Sequence, residues 1–166
     1  MKKILLLVRH AKSSWAEPGL ADFDRPLNDR GKRDAPEMAQ RLLQKKLIPD
    51  LLVTSTAKRA RSTCKAFAEV LHVKQVQQTD DLYLAGVDAF EQVVAALPDS
   101  ANTVALFAHN PGITAYANTL TNVRVDDMPT CAIYAVEAAC DSWRDFSAAE
   151  KRFLFFDYPK SKGVKD

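Results

Sequence analysis

Ile4-Leu5-Leu6-Leu7-Val8-Arg9-His10 decides the fold of this 166-residue chain. Five consecutive aliphatic residues, with neither a helical nor a two-residue period, read as a strand buried on both faces. The run then stops abruptly at an arginine and a histidine. Val104-Ala105-Leu106-Phe107-Ala108-His109 repeats the pattern and ends in the turn-forming Asn110-Pro111-Gly112. The chain holds three histidines, and two of them close buried strands. In an open α/β sheet, ligands bind just beyond the carboxyl ends of the strands, so both imidazoles can share one site.

The segments between these runs read as helices and shorter strands. Asp29 to Lys46 is expected to be a helix with Ala35, Met38, Ala39, Leu42 and Leu43 inward, although Pro36 conflicts with an uninterrupted one. Leu51 to Thr54 reads as a strand. Ala57 to Leu71 reads as a helix burying Ala60, Cys64, Phe67, Ala68 and Leu71. A short strand near Lys74 to Gln77 follows. Val87 to Leu97 is a third helix, using Phe90, Val93, Val94 and Leu97, and Ile113 to Thr121 a fourth. Cys131 to Glu137 and Arg152 to Phe156 are two strands with little helix between them. The pattern predicts an α/β three-layer sandwich: a mostly parallel sheet with helices on both faces and an antiparallel edge near the C-terminus. Lys12 to Asn28 carries Pro18, Gly19 and Pro26 and no period, so it reads as a long loop of the kind that carries function.

Bulk properties narrow the function classes. With 47% hydrophobic and 27% charged residues, the chain is a folded domain, expected to be a single one over residues 1–159 with a flexible polar tail over 160–166. A net charge of +2 calls for neither nucleic acid nor membrane. Lys58, Arg59 and Arg61 have no aromatic residues interleaved for base stacking. Cys64, Cys131 and Cys140 are odd in number and lack paired spacing, which argues against a disulfide framework and against zinc. The apolar run before Arg9 is too short for a signal peptide or a membrane span. A cytoplasmic location is the expectation; the oligomeric state is left open.

Set side by side, the strand ends form one cationic rim. The first strand brings Arg9 and His10. The second ends at Thr54-Ser55 and leads into a helix that opens with Lys58, Arg59 and Arg61, of which Arg59 and Arg61 diverge at helical spacing. The later strand brings His109. Guanidinium forks and free helix N–H groups are what a phosphoryl group requires. An imidazole nitrogen can attack phosphorus in line while the cations hold the equatorial oxygens, and those cations keep the nucleophile neutral. His72 ends a helix and reads as a surface residue facing the dipole.

Val8-Arg9-His10-Ala11, Ser55-Thr56-Ala57-Lys58-Arg59-Ala60-Arg61-Ser62-Thr63 and Ala108-His109-Asn110-Pro111 resemble the three signatures of the histidine phosphatase, or phosphoglycerate-mutase-like, superfamily, in the same order. The short length, Arg25-Pro26-Leu27-Asn28 before the first helix, and Phe155-Phe156-Asp157-Tyr158-Pro159 near the end look most like its SixA branch of phosphohistidine phosphatases. The resemblance implies a phosphoglycerate-mutase-like fold and a phosphatase that needs no metal or other cofactor. It implies His10 as the phosphorylated nucleophile, Arg9 and Arg59 as clamps on the phosphoryl oxygens, and His109 as the second imidazole. Arg25, Ser13 and Ser14 would bind substrate, with Lys12 and Trp15 on the same wall. Asp80 or Asp81 would be the general acid. The family usually carries Gly where this chain has Ala11, and often where it has Ala108.

The leaving-group side offers no acid that stands out. Phosphohistidine leaves as an imidazole and an alkyl ester as a poor alkoxide, so a weak acid favours a phosphohistidine on a partner protein. A small phosphomonoester is the alternative substrate, and a non-catalytic phosphate-binding module the alternative function.

Overall fold

The aliphatic run at Ile4 becomes the strand β1 (Lys3–Arg9), and strands pair with it on both sides. The computed structural model describes residues 2–160. The other strands are β2 (Leu51–Ser55), β3 (Val76–Thr79), β4 (Thr103–Ala108), β5 (Ile133–Ala138) and β6 (Lys151–Asp157), and the helices are α1 (Asp29–Gln44), α2 (Lys58–Leu71), α3 (Val87–Ala95) and α4 (Gly112–Leu120). One sheet runs in the order β3-β2-β4-β1-β5-β6. The first four of these are mutually parallel, whereas β5 is antiparallel to both β1 and β6. The predicted sandwich and its antiparallel edge are both present.

Side chains alternate across a strand, and β1 uses both faces. Leu5 and Leu7 join Phe90 of α3 and Ile113 and Tyr116 of α4. Leu6 and Val8 join Met38 and Leu42 of α1 and Phe67 and Leu71 of α2. Each fully buried aliphatic side chain of this kind contributes roughly 1.5–3 kcal/mol, which is why the two-faced run so strongly specifies a central strand.

Several boundaries differ from expectation for local reasons. Helix α1 starts at Asp29, with Asn28 Oδ1 accepting from Gly31 N at 2.9 Å, and continues through Pro36. Its inward stripe of Ala35, Met38, Ala39 and Leu42 is fully buried and outweighs the one N–H that Pro36 lacks. The helix stops short of Lys46, which takes φ 59°. His72 caps α2 in the left-handed region at φ 56°. β3 lies two residues later than expected, and its Val-Gln-Gln-Thr sequence is mostly exposed. Cys131 falls outside β5: it adopts φ 62° and donates its N–H to the carbonyls of Arg9 and His10 at 3.1 and 3.0 Å.

The Lys12–Asn28 loop is more ordered than its sequence suggests. Ser13 bridges to Leu27, and Asp22–Asp24 forms a turn of 3-10 helix. Gly31 lets α1 approach this loop, because a Cβ there would collide with the Lys12 carbonyl oxygen. Cys64, Cys131 and Cys140 are free thiols; burial pushes Cys64 up to about 12. Among the described residues no helix is long and apolar enough to cross a membrane. Of the expected tail, residues 161–166 lie outside the described part.

Candidate active site

Strand register brings the two histidines together. Arg9 pairs with Ala108 across the parallel β1–β4 ladder, so His10 and His109 leave neighbouring strands at the same level. Their ring centroids are 5.1 Å apart. On the other side of β4, Thr54 pairs with Phe107, which sets Ser55 beside His109. Helix α2 starts three residues beyond Ser55 and delivers Arg59 from its first turn. All these groups stand at the carboxyl ends of parallel strands, where the fold places ligands.

His10 is 6% exposed and has one tautomer defined by its partners. Nδ1 lies 2.8 Å from the Ala11 carbonyl oxygen, which can only accept, so Nδ1 carries the proton. Nε2 then holds a lone pair and accepts from Arg59 Nε at 3.3 Å. Burial first, and then the charges of His109, Arg59 and Arg9, depress its pKa to about 3 despite the opposing pull of the Ala11 carbonyl. The result is an uncharged imidazole among guanidinium groups. Ala11 holds this arrangement from behind: its N–H donates to Thr63 Oγ1 at 2.9 Å, and Thr63 Oγ1 donates to the Arg59 carbonyl at 2.8 Å. Ala11 has no positive φ, so its methyl strains nothing where the family usually carries glycine.

His109 is also neutral: burial, then Arg59 and Arg9, lower its pKa to about 4, with Asp22 opposing. Its Nε2 lies 2.8 Å from Ser55 Oγ. Ser55 Oγ also accepts from Ala57 N at 3.2 Å, and Ser55 is fully buried. If His109 Nε2 donated, the serine hydrogen would be stranded, at a cost of about 1–3 kcal/mol. Ser55 therefore donates to Nε2, and Nδ1 bears the hydrogen.

Among the described residues two buried nitrogens at this rim have no hydrogen-bond partner, Arg9 Nε and His109 Nδ1. Arg9 is anchored through Nη1 to the Met128 carbonyl at 2.9 Å. Buried polar atoms are almost always paired, and two free donors beside an imidazole lone pair can take an oxyanion. Among the described residues no group of three or more His, Cys, Asp or Glu side chains is placed to hold a metal ion.

The loop closes the site with a carboxylate that sequence reasoning missed. Asp22 accepts from Arg59 Nη2 at 3.0 Å, and its carbonyl accepts from Nη1 at 2.7 Å. Its carboxylate also pairs with Arg25 at 3.1 Å and accepts from Tyr83 Oη at 2.7 Å. Burial pulls the carboxyl upward, but the bonds from Tyr83, Arg59 and Arg25 and the Arg59 charge outweigh it and hold the pKa at about 2. Asp22 is thus ionised. The i,i+3 spacing of Asp22 and Arg25 was the available signal; Tyr83 and Ser55 had none beyond their closeness to strand ends.

The remaining expected residues are placed differently. Arg25 reaches the mouth but spends its donors on Asp22, on Ser13 Oγ at 2.6 Å and on the Ser14 carbonyl at 3.3 Å. Ser13 is thereby a support for Arg25, and the Ser14 hydroxyl accepts from Ala16 N at 3.0 Å within a turn. Among the described hydrogen bonds neither serine hydroxyl joins His10 or His109. Asp80 is engaged by Thr56 Oγ1, and Asp81 N bonds Thr79 Oγ1 at 3.1 Å. Both start a 3-10 turn after β3, and among the described hydrogen bonds and ion pairs neither joins His10, Arg9, Arg59 or His109. The carboxylate that reaches the cluster comes from the Lys12–Asn28 loop.

Known proteins are similar to this chain in sequence and fold. The model of the histidine phosphatase superfamily (branch 1) matches residues 5–83. An uncharacterised chloroplast protein of Arabidopsis thaliana is 31% identical over 152 residues, which is 85% of this chain and 69% of that protein. The structure assigned as phosphohistidine phosphatase SixA in Agrobacterium tumefaciens is 28% identical, covers 95% of this chain and 98% of its own, and superposes with a TM-score of 0.79. The corresponding Nakamurella structure, assigned in the same way, is 28% identical over 96% and 97% of the two chains, with a TM-score of 0.80.

Proposed function

The chain belongs to the histidine phosphatase superfamily, on its SixA-like branch, and from that premise we propose that it is a phosphohistidine phosphatase acting on a partner protein through a phosphorylated His10. The coarser conclusion, a phosphatase, is supported by the family and by its structural relatives. The finer one rests on the chemistry of the rim.

His10 Nε2 offers its lone pair to phosphorus while Arg9, Arg59 and His109 Nδ1–H take the equatorial oxygens. The P–N bond of the substrate breaks, and its electron pair returns to the leaving imidazole. When the other nitrogen of that imidazole is protonated, it departs neutral. His10 takes the same form in its place, with a cationic ring whose Nδ1–H stays on the Ala11 carbonyl. Transfer between two imidazoles is thus symmetric and moves no net proton. Water then attacks phosphorus, the His10 P–N bond breaks, and dihydrogen phosphate departs as Nε2 recovers its lone pair. No metal is needed for these steps, since guanidinium groups supply the charge.

One observation carries the choice of substrate. Asp22, the carboxylate in contact with Arg59, is held ionised at about 2, so it has no proton to give an alkoxide. An imidazole leaving group needs none. The test is single-turnover labelling with a 32P-phosphohistidine protein and a panel of small phosphate esters. Label on wild type but not on His10→Ala, with the phosphohistidine protein turned over fastest, supports the reading. Faster turnover of an ester would replace the substrate class. Neither label nor hydrolysis would leave a phosphate-binding module.

A further inference from the structure

The mouth of the phosphoryl site is bordered by apolar side chains that the fold does not use. Trp15 and Leu84 are the two most exposed large hydrophobic residues among those described, at 73% and 85%. The Trp15 ring lies 3.6 Å from the guanidinium of Arg25, which holds Asp22. Leu84 follows Tyr83, whose hydroxyl holds the same carboxylate. Phe23 meets Tyr83 edge-on, with centroids 5.0 Å apart. Asp22, the residue closing the phosphoryl pocket, thus stands between two exposed apolar groups.

Beside Leu84 a groove of about 350 Å³ runs inward to His109, floored by Ala85, Pro111 and Ala115. None of the side chains lining it is a carboxylate, ammonium or guanidinium. Gly112 sits at its base because a Cβ there would collide with the Ala85 carbonyl oxygen. Whatever carries the phosphoryl group to His10 must rest against this border. A small polar ester finds little to bond in the groove, whereas an apolar side chain fits its lining. Exposed Trp and Leu beside Arg and Tyr have the composition of a protein-recognition patch.

Building on the phosphatase reading, we propose that Trp15, Leu84 and the groove beside His109 form the docking surface for the polypeptide that bears the phosphorylated residue, with the groove accepting an apolar side chain next to that residue. The carrier extends from the phosphoryl group in two directions, toward Trp15 and toward Leu84, which a polypeptide does and a small ester does not. Specificity then lies in the residues flanking the phosphohistidine.

The experiment compares three probes: free phosphohistidine and two phosphohistidine peptides of equal length, one with leucine and one with serine on both sides. For wild type, kcat/KM for the leucine-flanked peptide is expected to exceed that for the serine-flanked one by about tenfold. Trp15→Ala, Leu84→Ala and the groove-filling Ala115→Trp bring that ratio toward one. Turnover of free phosphohistidine by Leu84→Ala stays within about twofold of wild type, since the exposed Leu84 side chain makes no hydrogen bond or ion pair with His10, Arg9, Arg59 or His109. Equal peptides in the wild type, or a Leu84→Ala variant that slows free phosphohistidine as much as the leucine peptide, overturn the docking surface alone. Failure of all three probes, with no label on His10, overturns the phosphatase reading and this surface with it.

Discussion

Ser55 Oγ lies 2.8 Å from His109 Nε2, and the hydrogen count around it makes the serine the donor. The neutral ring is therefore the Nδ1–H tautomer, and the atom left for a phosphoryl oxygen is a hydrogen-bond donor. The ¹⁵N shifts of His109 in wild type should show a protonated Nδ1 and an unprotonated Nε2. Ser55→Ala should yield mixed tautomers and lower kcat by roughly tenfold, less than the about 10²–10³ of deleting an oriented donor outright because part of the population keeps Nδ1–H, while KM changes little. Ser55→Thr keeps the hydroxyl and should restore both readouts. A protonated Nε2 in wild type would sink the assignment.

His10 and His109 are buried neutral, with pKa values near 3 and 4. In the unfolded chain they titrate near about 6.5. Between those limits the unfolded state binds more protons, so stability is complete above about pH 6.5 and is lost as pH falls toward 3–4. Replacing His10 with Asn should flatten the fall in Tm between about pH 7 and 4. The acid limb of kcat/KM should likewise lie below about pH 5, since His10 keeps its lone pair there. A limb near 6.5 carried by His10 would contradict its burial.

How much was legible in the sequence depended on how locally each feature was determined. β1 and β4 were plain because strands buried on both faces admit few other sequences, and their closing residues Arg9, His10 and His109 then had a fixed place on the sheet. The antiparallel edge followed from the lack of a crossover helix between β5 and β6. Helix α1 was obscured by Pro36, whose local penalty is smaller than the burial of Met38 and Leu42. Asp80 and Asp81 looked suited to acid chemistry because members of the family carry an acidic residue on the loop after the third strand; in the fold they open a 3-10 turn, and Asp80 accepts from Thr56 Oγ1. Asp22 lies in a loop whose path is set by Ser13–Leu27 pairing and by Arg25, both tertiary facts with no periodic signature.

Thr63 joins the segment that follows His10 to α2. Its hydroxyl accepts from Ala11 N and donates to the Arg59 carbonyl, and the residue is fully buried. Thr63→Val keeps the shape but strands the Ala11 N–H. Stability should drop by about 1–3 kcal/mol, seen as a lower urea midpoint at unchanged m. Since the same bond positions Ala11 behind His10, phosphoenzyme formation should slow as well. A stable variant with normal labelling would mean that Ala11 finds another acceptor.

Asp22 holds the Arg59 guanidinium, which the proposed reaction sets against the phosphoryl group. Arg59 gives Asp22 two of its donors, so an incoming oxyanion competes with a carboxylate already in place. The pair is only partly shielded, with the Asp22 side chain 49% exposed and Arg59 7% exposed, so screening limits its worth to about 0.5–1 kcal/mol. Asp22→Asn removes the competing charge while keeping one acceptor oxygen, enough for Arg25 at Oδ1, with the amide nitrogen facing the Tyr83 hydroxyl oxygen instead. Inhibition by orthophosphate should then tighten by roughly 2–5-fold, which is the same energy read as a binding ratio. The effect should shrink at high salt, where the wild-type carboxylate is already screened. If orthophosphate binds more weakly to the variant, Asp22 serves to aim Arg59 rather than to occupy it, and competition between the two anions is the wrong description of the pocket.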